Sequence, residues 1–210
     1  TLAVKKTLTG RELKADEFEF TLTDQVGNVE TAKNDANGKV KFHELTFDEA
    51  GTYTYTIKEV KAGTTENGLT YDNKTITATV TVTDDGKGVL SAEVTYDGGT
   101  TFTNTYSASK AKATLEVTKK LTGRATEAQE GEFEFTLTDN QDNSVKDTAK
   151  NDKDGNVQFK ELEFDKAGTY TYTIKEVKAG TTEKGITYDS KTITATVTVT
   201  DDGKGTLSAE

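Results

Sequence analysis

Apolar residues fall on alternate positions through most of this chain, and each alternating run ends at a turn signal. Leu2 and Val4 open the first run, and Phe18, Phe20 and Leu22 form the second. Val40 and Phe42 form a third, continued past an irregularity by Leu45 and Phe47. Tyr53, Tyr55 and Ile57 follow, then Ile76, Ala78, Val80 and Val82, then Leu90, Ala92, Val94 and Tyr96, and last Phe102 and Tyr106. Period two puts each set on one face of a strand. Asn37-Gly38, Asp85-Gly86 and Asp97-Gly98-Gly99 punctuate the runs, and the Asn-Gly pair predicts a type I′ hairpin. The alternate positions are mostly Thr and Lys, which suit a half-exposed strand and discourage edge-to-edge pairing. No stretch keeps a helical period. The pattern predicts about seven or eight strands in an antiparallel sandwich.

The same pattern is then written a second time. Thr1–Glu93 recurs as Thr114–Glu210, with AGTYTYTIKEVKAGTTE at Ala50–Glu66 and Ala167–Glu183, and KTITATVTVTDDGKG at Lys74–Gly88 and Lys191–Gly205. Repeats of this length are whole domains of roughly 100 residues, not solenoid units. The expected organisation is two tandem Ig-like antiparallel β-sandwiches, residues 1–106 and 114–210, joined by a short polar linker, SASKAKA, at 107–113. The second copy stops at Glu210, the match of Glu93, and so lacks the counterpart of Val94–Tyr106 and its last strand. The chain reads as a piece of a longer array, and an array of near-identical domains points to a stalk or spacer before an enzyme.

Composition narrows this further. Hydrophobic residues make up only 32%, yet they are Val, Ile, Phe and Tyr in register, which fits a folded β protein and not disorder. The net charge of −10 argues against nucleic acid or an anionic membrane as partner and keeps an array soluble. With no Cys there is no disulfide, thiolate metal site or Cys nucleophile. Small extracellular domains usually carry a covalent staple, so an extracellular form of this chain needs a different one. No segment is long and apolar enough for a membrane-spanning helix.

Three polar residues continue apolar stripes. Lys6 extends the face of Leu2 and Val4, Glu59 that of Tyr53, Tyr55 and Ile57, and Asn104 lies between Phe102 and Tyr106. All three are expected to point inward. The second copy keeps two of them, Lys119 after Leu115 and Val117, and Glu176 after Tyr170, Tyr172 and Ile174. Burial favours the neutral forms of Lys and Glu. A neutral Lys is a nucleophile, a protonated Glu relays protons, and contact between amine and amide supplies the proximity that a slow amidation needs. The product would be a Lys–Asn isopeptide bond with loss of ammonia. On pattern alone a plainer reading stands beside it: the Lys snorkels, the Glu is its ordinary ion-pair partner, and the Asn ends a strand.

The segments LAVKKTLTG, EFEFTL, FDEAGTYTYTIKEV, LTYD, TVTVTDDG and FTNTY closely resemble the streptococcal pilin isopeptide linkage domain, a family of Gram-positive pilins and repetitive surface adhesins. The resemblance covers the first copy end to end and the second up to Glu210. It implies Ig-like sandwiches with a self-formed Lys–Asn bond promoted by Glu, once per domain and without turnover. By the family pattern Lys6 is the cross-linking lysine, Glu59 the catalytic acid and Asn104 the acceptor, and Lys119 and Glu176 are their matches in the second copy. Lys5 has the wrong parity, and its match is Thr118. The second copy has no matching Asn, so Lys119 is a candidate cross-linking lysine without an acceptor. The resemblance also implies an extracellular location, anchored to the cell wall through other parts of the protein.

The expected partners are neighbouring repeats of the same chain, with a host surface ligand bound through other domains, no nucleic acid and no membrane insertion; the fragment itself is expected to be monomeric. Two alternatives are a host-ligand-binding module and a strand-deleted scaffold that accepts an Asn-bearing peptide. No cofactor or metal is expected. Asp152, Asp154, Gly155 and Asn156 only faintly resemble a calcium loop, Asn34, Asp35, Asn37 and Gly38 take the same place in the first copy, and a turn explains both stretches. His43 is matched by Lys160, which argues against a catalytic role.

Overall fold

The alternating runs become strands, and a computed structural model describes all of residues 1–210 as β-structure, turns and loops. The chain divides into unit 1, Thr1–Ser107, and unit 2, Ala108–Glu210. Unit 1 contains β1 (Ala3–Thr9), β2 (Glu19–Thr23), β3 (Val29–Lys33), β4 (Lys39–Lys41), β5 (Gly51–Glu59), β6 (Thr65–Glu66), β7 (Leu69–Thr70), β8 (Thr75–Asp84), β9 (Leu90–Asp97) and β10 (Thr101–Tyr106). They form two five-stranded sheets, ordered β4-β1-β10-β7-β6 and β3-β2-β5-β8-β9. Between them lie Val4, Val40 and Phe102 from one sheet and Phe20, Leu22, Ile57, Ile76, Ala78 and Val80 from the other, all buried. Phe20 and Phe102 meet across the core at 5.1 Å. Each of these Val, Leu, Ile and Phe side chains contributes roughly 1.5–3 kcal/mol on burial. On the outer face, Thr52, Thr54 and Thr56 stand opposite Thr81, Thr79 and Thr77, cross-strand pairs that β-branched residues favour.

Two features differ from the simple antiparallel expectation. The first strand and the last are parallel neighbours, Lys6 opposite Phe102 and Leu8 opposite Asn104. The Asn37-Gly38 turn closes only a single antiparallel bridge, Asn34 to Val40, before β3 and β4 go to different sheets. Only Gly38 there has a positive φ, 82°, whereas a type I′ turn needs two. The Asp35 side chain accepts the N–H of Asn37 and of Lys39, which holds the turn from within. Asp152 does the same for Asp154 and Asn156.

Unit 2 contains β11 (Ala111–Ala113), β12 (Glu116–Thr118), β13 (Glu134–Asp139), β14 (Val145–Lys150), β15 (Asn156–Gln158), β16 (Leu162–Phe164), β17 (Gly168–Glu176), β18 (Thr182–Glu183), β19 (Ile186–Thr187), β20 (Thr192–Asp201) and β21 (Leu207–Ala209). One five-stranded sheet, β14-β13-β17-β20-β21, repeats its counterpart in unit 1. The facing layer is three separate pairs, β12-β15, β18-β19 and β11-β16. No strand lies between β12 and β19, the place that β10 takes between β1 and β7 in unit 1. The segment expected as a linker differs from that expectation: Ala111–Ala113 pairs with Leu162–Phe164, and Ala111 is buried in the core of unit 2. Its alternation of Ala with Lys gives it an apolar face, which is why it docks as a strand.

Candidate functional site

The inward parity of three strands brings Lys6, Glu59 and Asn104 together in the core of unit 1. β1 buries Val4 and Lys6 and exposes Lys5, β5 buries Ile57 and Glu59, and β10 buries Phe102, Asn104 and Tyr106. Lys6, Glu59 and Asn104 are 1%, 3% and 0% exposed, values that exclude a snorkelling lysine. The parallel pairing of β1 and β10 sets Asn104 two residues beyond Phe102, the residue opposite Lys6, on the same face. Glu59 reaches both from the facing sheet.

The Glu59 carboxyl is the hub. Lys6 Nζ lies 3.0 Å from Oε1 and donates to Oε2 at 3.1 Å. Asn104 Nδ2 donates to Oε1 at 2.8 Å. The Asn104 carbonyl oxygen accepts the backbone N–H of Asp72 at 2.8 Å. Asp72 is itself held in place, its carboxylate accepting the N–H of Lys74 and of Thr103. Phe18 and Phe20 wall the amine, their ring centres 4.7 and 5.8 Å from Nζ. Burial pushes the Lys6 amine below its ordinary pKa, against the opposing pull of Glu59. Burial likewise raises Glu59, against the opposing effects of Lys6 and Asn104. Both shifts favour the uncharged pair, an amine and a carboxylic acid.

Two backbone devices fix the lysine. Lys6 N–H donates to Gly38 O at 2.6 Å, and a Cβ on Gly38 would fall 2.0 Å from Lys6 O. Only glycine fits this approach at φ 82°. Phe18 N–H donates to the buried side chain of Asn34, which also bonds Lys14 O and Asp35 O and so seats the aromatic wall.

In unit 2 the structure brings Lys119 and Glu176 together in the same way, with Nζ 2.9 Å from Oε1 and donating to Oε2 at 3.1 Å. Phe133 takes the place of Phe18, 4.4 Å from the amine. The acceptor side differs. Glu176 Oε1 is buried without a hydrogen bond, whereas its match in unit 1 accepts Asn104. The N–H of Asp189, the match of Asp72, turns to Glu176 Oε2 at 3.1 Å. Beside the pair runs an open groove of about 920 Å³, lined by Val117, Lys119, Phe135, Glu176, Tyr188 and Ile193 among others.

Phe18 lies on the inward face that its alternation with Phe20 and Leu22 predicts, whereas no strand parity points to Asp72 or Asn34. Asp72 had a visible signal, the Thr-Tyr-Asp run present in both copies, but its role is played by a backbone N–H that no side-chain pattern reveals. His43 is exposed and meets only Glu30 on the surface. No cluster of three potential metal-ligating side chains is present, and no helix is long and apolar enough to cross a membrane.

Residues 2–107 and 115–210 match the model of FctA, the Spy0128-like isopeptide containing domain. No curated protein matches the chain. Among solved structures, similarity extends to the major pilin protein T3.2 of Streptococcus pyogenes, with 19% identity, 99% of this chain and 95% of that one covered, and a TM-score of 0.36. A C-terminal fragment of the pilus adhesin SpaC from Lactobacillus rhamnosus GG gives 20% identity, coverage of 98% and 93%, and a TM-score of 0.28. The minor pilin GBS52 of Streptococcus agalactiae gives 14%, 93% and 90%, and 0.27. At these TM-scores the assignment rests on the family match to both repeats. Domains of this kind have a structural role in extracellular, cell-wall-associated pili and surface adhesins. Both units of the chain belong to the family of Spy0128-like isopeptide-containing domains, the isopeptide linkage domains of Gram-positive pilins.

Proposed function

We propose that this chain is a stalk segment of a Gram-positive surface adhesin or pilus-like protein, and that unit 1 locks itself with a bond between Lys6 and Asn104. The observation that carries the reading is one buried carboxyl touching both reacting groups: Glu59 lies within 3.1 Å of Lys6 Nζ and 2.8 Å from Asn104 Nδ2. Lys6 passes a proton to Glu59 and attacks Asn104 Cγ as a free amine. The Asp72 N–H supports the oxygen as it gains charge, in the manner of a single oxyanion donor. Glu59 then moves a proton from Nζ to Nδ2. The Cγ–Nδ2 bond breaks, ammonia leaves, and the Nζ–Cγ bond remains. Amine plus amide give a secondary amide plus ammonia, so no oxidant or cofactor is required. The step happens once per domain and is self-modification without turnover.

The bond would join the first strand to the last. Those strands are parallel neighbours, so tension applied at the two ends of unit 1 shears β1 against β10. A covalent link at Lys6 and Asn104 takes that tension in place of the hydrogen bonds between the two strands. The exposed large apolar side chains are all Val or Leu, with no aromatic anchor among them, which favours a spacer over a host-ligand-binding module.

Intact mass spectrometry of the chain beside Lys6→Ala and Glu59→Ala tests the proposal. The expected result is a wild-type mass one ammonia below the calculated value, with both variants at their calculated masses. A wild type at full mass refutes the bond and leaves an ion-paired core.

A second reading applies to unit 2. Glu176 Oε1, which accepts no amide N–H where its match in unit 1 accepts Asn104, and the adjoining groove favour a site that accepts an Asn-bearing strand of the type of Thr101–Tyr106. A peptide copying Val94–Tyr106, incubated with the chain, is expected to yield an adduct at Lys119 with loss of one ammonia. Lys119→Ala should abolish it, and failure of the wild type to form it removes this reading.

A further inference from the structure

Unit 2 opens with a strand that has no counterpart in unit 1. Ala111–Ala113 pairs antiparallel with Leu162–Phe164, in the register Ala111 to Phe164 and Ala113 to Leu162. A few residues earlier, Ser109 bridges Thr206: its N–H donates to Gly205 O, and its oxygen accepts Leu207 N–H. The segment therefore ties β16 to the end of β21. Beneath it Ala111, Phe164 and Leu207 are 3%, 4% and 6% exposed. Lys110 meets Glu163 at 3.0 Å and Lys112 meets Glu161 at 2.7 Å. These exposed pairs contribute little energy and serve to hold the register.

Unit 1 has the matching surface without the strand. Leu45, Thr46 and Phe47 occupy the positions of Leu162, Glu163 and Phe164 but form no strand, and Phe47 is only half-buried where Phe164 is buried, Leu45 and Leu162 being half-buried alike. Leu90, the match of Leu207, is 36% exposed, and Ala92 is exposed where Ala209 is half-buried. Glu44 keeps the position of Glu161. The flanking residues are otherwise nearly identical, so the difference in burial follows from the covering strand and not from the surface beneath it. Connection length says where such a strand enters. In unit 2, only Thr114 and Leu115 separate β11 from β12, and they match Thr1 and Leu2.

We propose that the edge of unit 1 formed by Leu45–Phe47 and Leu90 is a docking site for an extended strand of small residues alternating with lysine, supplied in cis immediately ahead of Thr1. Each inter-repeat segment is then the first strand of the repeat that follows it, not a linker. The junction in this chain has that character. Ser107 N–H pairs with Gly68 O of unit 1 and Ser109 N–H with Gly205 O of unit 2, so the chain passes from one pairing to the next across Ala108. Folding of a repeat's first strand then depends on the segment immediately ahead of it.

The test is to fuse Ser-Ala-Ser-Lys-Ala-Lys-Ala ahead of Thr1 in the full chain and follow amide hydrogen exchange. Exchange at Leu45–Phe47 and Leu90 should slow by on the order of tenfold or more, the protection of a paired edge over an open one. A fusion with Pro at the two positions matching Ala111 and Ala113 should leave exchange at the rate of the unextended chain, since Pro breaks the pairing. Unchanged exchange in the first fusion overturns the proposal. Equal slowing in the Pro fusion overturns it as well, because any tail would then suffice. Slowing by the detached heptapeptide at micromolar concentration, equal to that of the fusion, overturns the assignment of the strand to the same chain.

Discussion

Units 1 and 2 hold the same Lys–Glu pair, one with an asparagine amide beside it and one without. In unit 1 the Glu59 carboxyl binds Lys6 and Asn104, and the Asp72 N–H holds the Asn104 oxygen. In unit 2 Glu176 holds Lys119 and accepts the Asp189 N–H on Oε2, and its Oε1 has the Lys119 ammonium 2.9 Å away but accepts no hydrogen bond. The difference traces to β10. With that strand in place Ile76 and Ala78 are fully buried; their matches Ile193 and Ala195 are only half-buried. The Lys6 side chain is 0% exposed and that of Lys119 is 9%. The amine and the acid are thus set by the first strand, the two strands around Glu59 and the aromatic wall, and they assemble without an acceptor. The last strand adds the amide, excludes water and satisfies the carboxyl.

The comparison breaks most sharply at the cross-link. Lys6→Ala is expected to abolish the ammonia loss and to lower the stability of unit 1 by about 4–5 kcal/mol, the effect of opening a loop of roughly 100 residues. The unfolding transition of unit 2 in the same chain serves as the internal reference and should not move. Equal shifts in both transitions would mean that the substitution acts through something other than the bond.

Completing unit 2 should erase the difference. Joining a copy of Val94–Tyr106 after Glu210 is expected to give a second ammonia loss and a stabilisation of unit 2 of similar size, about 4 kcal/mol. Lys119→Ala in that chain should return the mass deficit to one ammonia. A completed unit 2 that folds and keeps its full mass would show that Lys119 and Glu176 are not competent.

Two matched glycines sharpen the comparison at smaller cost. A Cβ on Gly10 would lie 2.0 Å from Tyr106 O on β10, at φ 91°, whereas Gly123 at φ 81° has no atom that close because no strand is there. Gly10→Ala should cost unit 1 about 2–4 kcal/mol, from the clash added to a strained φ. Gly123→Ala should cost unit 2 only about 1–2 kcal/mol, the penalty of left-handed backbone alone. Denaturant titrations of the two variants give the difference directly, and equal costs would contradict the role assigned to β10.

The smallest expected effect is one of pH. Lys6→Met leaves Glu59 buried without its cation. Burial holds the folded-state pKa of Glu59 above the ordinary value of 4.5, so the folded state retains a proton that the unfolded state releases. The stability this contributes is full below the unfolded-state value and is lost as pH rises through the folded-state pKa. Unit 1 of this variant should therefore weaken in chemical denaturation as pH rises above the ordinary glutamate value of 4.5, and Glu59→Gln on the same background should remove that part of the slope. A rise in stability over the same range would reverse the sign and refute the assignment.

Much of the site was legible before any fold was known. Val4-Lys5-Lys6, Ile57-Lys58-Glu59 and Phe102-Thr103-Asn104 each show a polar residue on an apolar stripe, and the pleat carries that parity unchanged into the structure. Asp72 was not legible, because it acts through a backbone N–H whose direction depends on the chain around it. Asn34 escaped for a related reason: an Asn beside a turn looks like a turn residue until the carbonyls it bonds are in place. The junction was misread because SASKAKA is short and polar in composition, while its docking depends on an apolar edge more than forty residues away in Leu162–Phe164. The Asn37-Gly38 turn was read as a hairpin because the dipeptide is local, whereas the sheet each flanking strand joins is not.

By itself the sequence determined the repeat, the strands, the face each side chain takes and the residue types available for a cross-link, because steric alternation along a strand is a local property. Only the tertiary structure decided which strands are neighbours. It set β10 parallel to β1, brought Asn104 to Lys6 across the length of the domain, and converted a linker into a strand. Those outcomes depend on packing between segments distant in the chain, where burial and backbone pairing select a partner that no local pattern names.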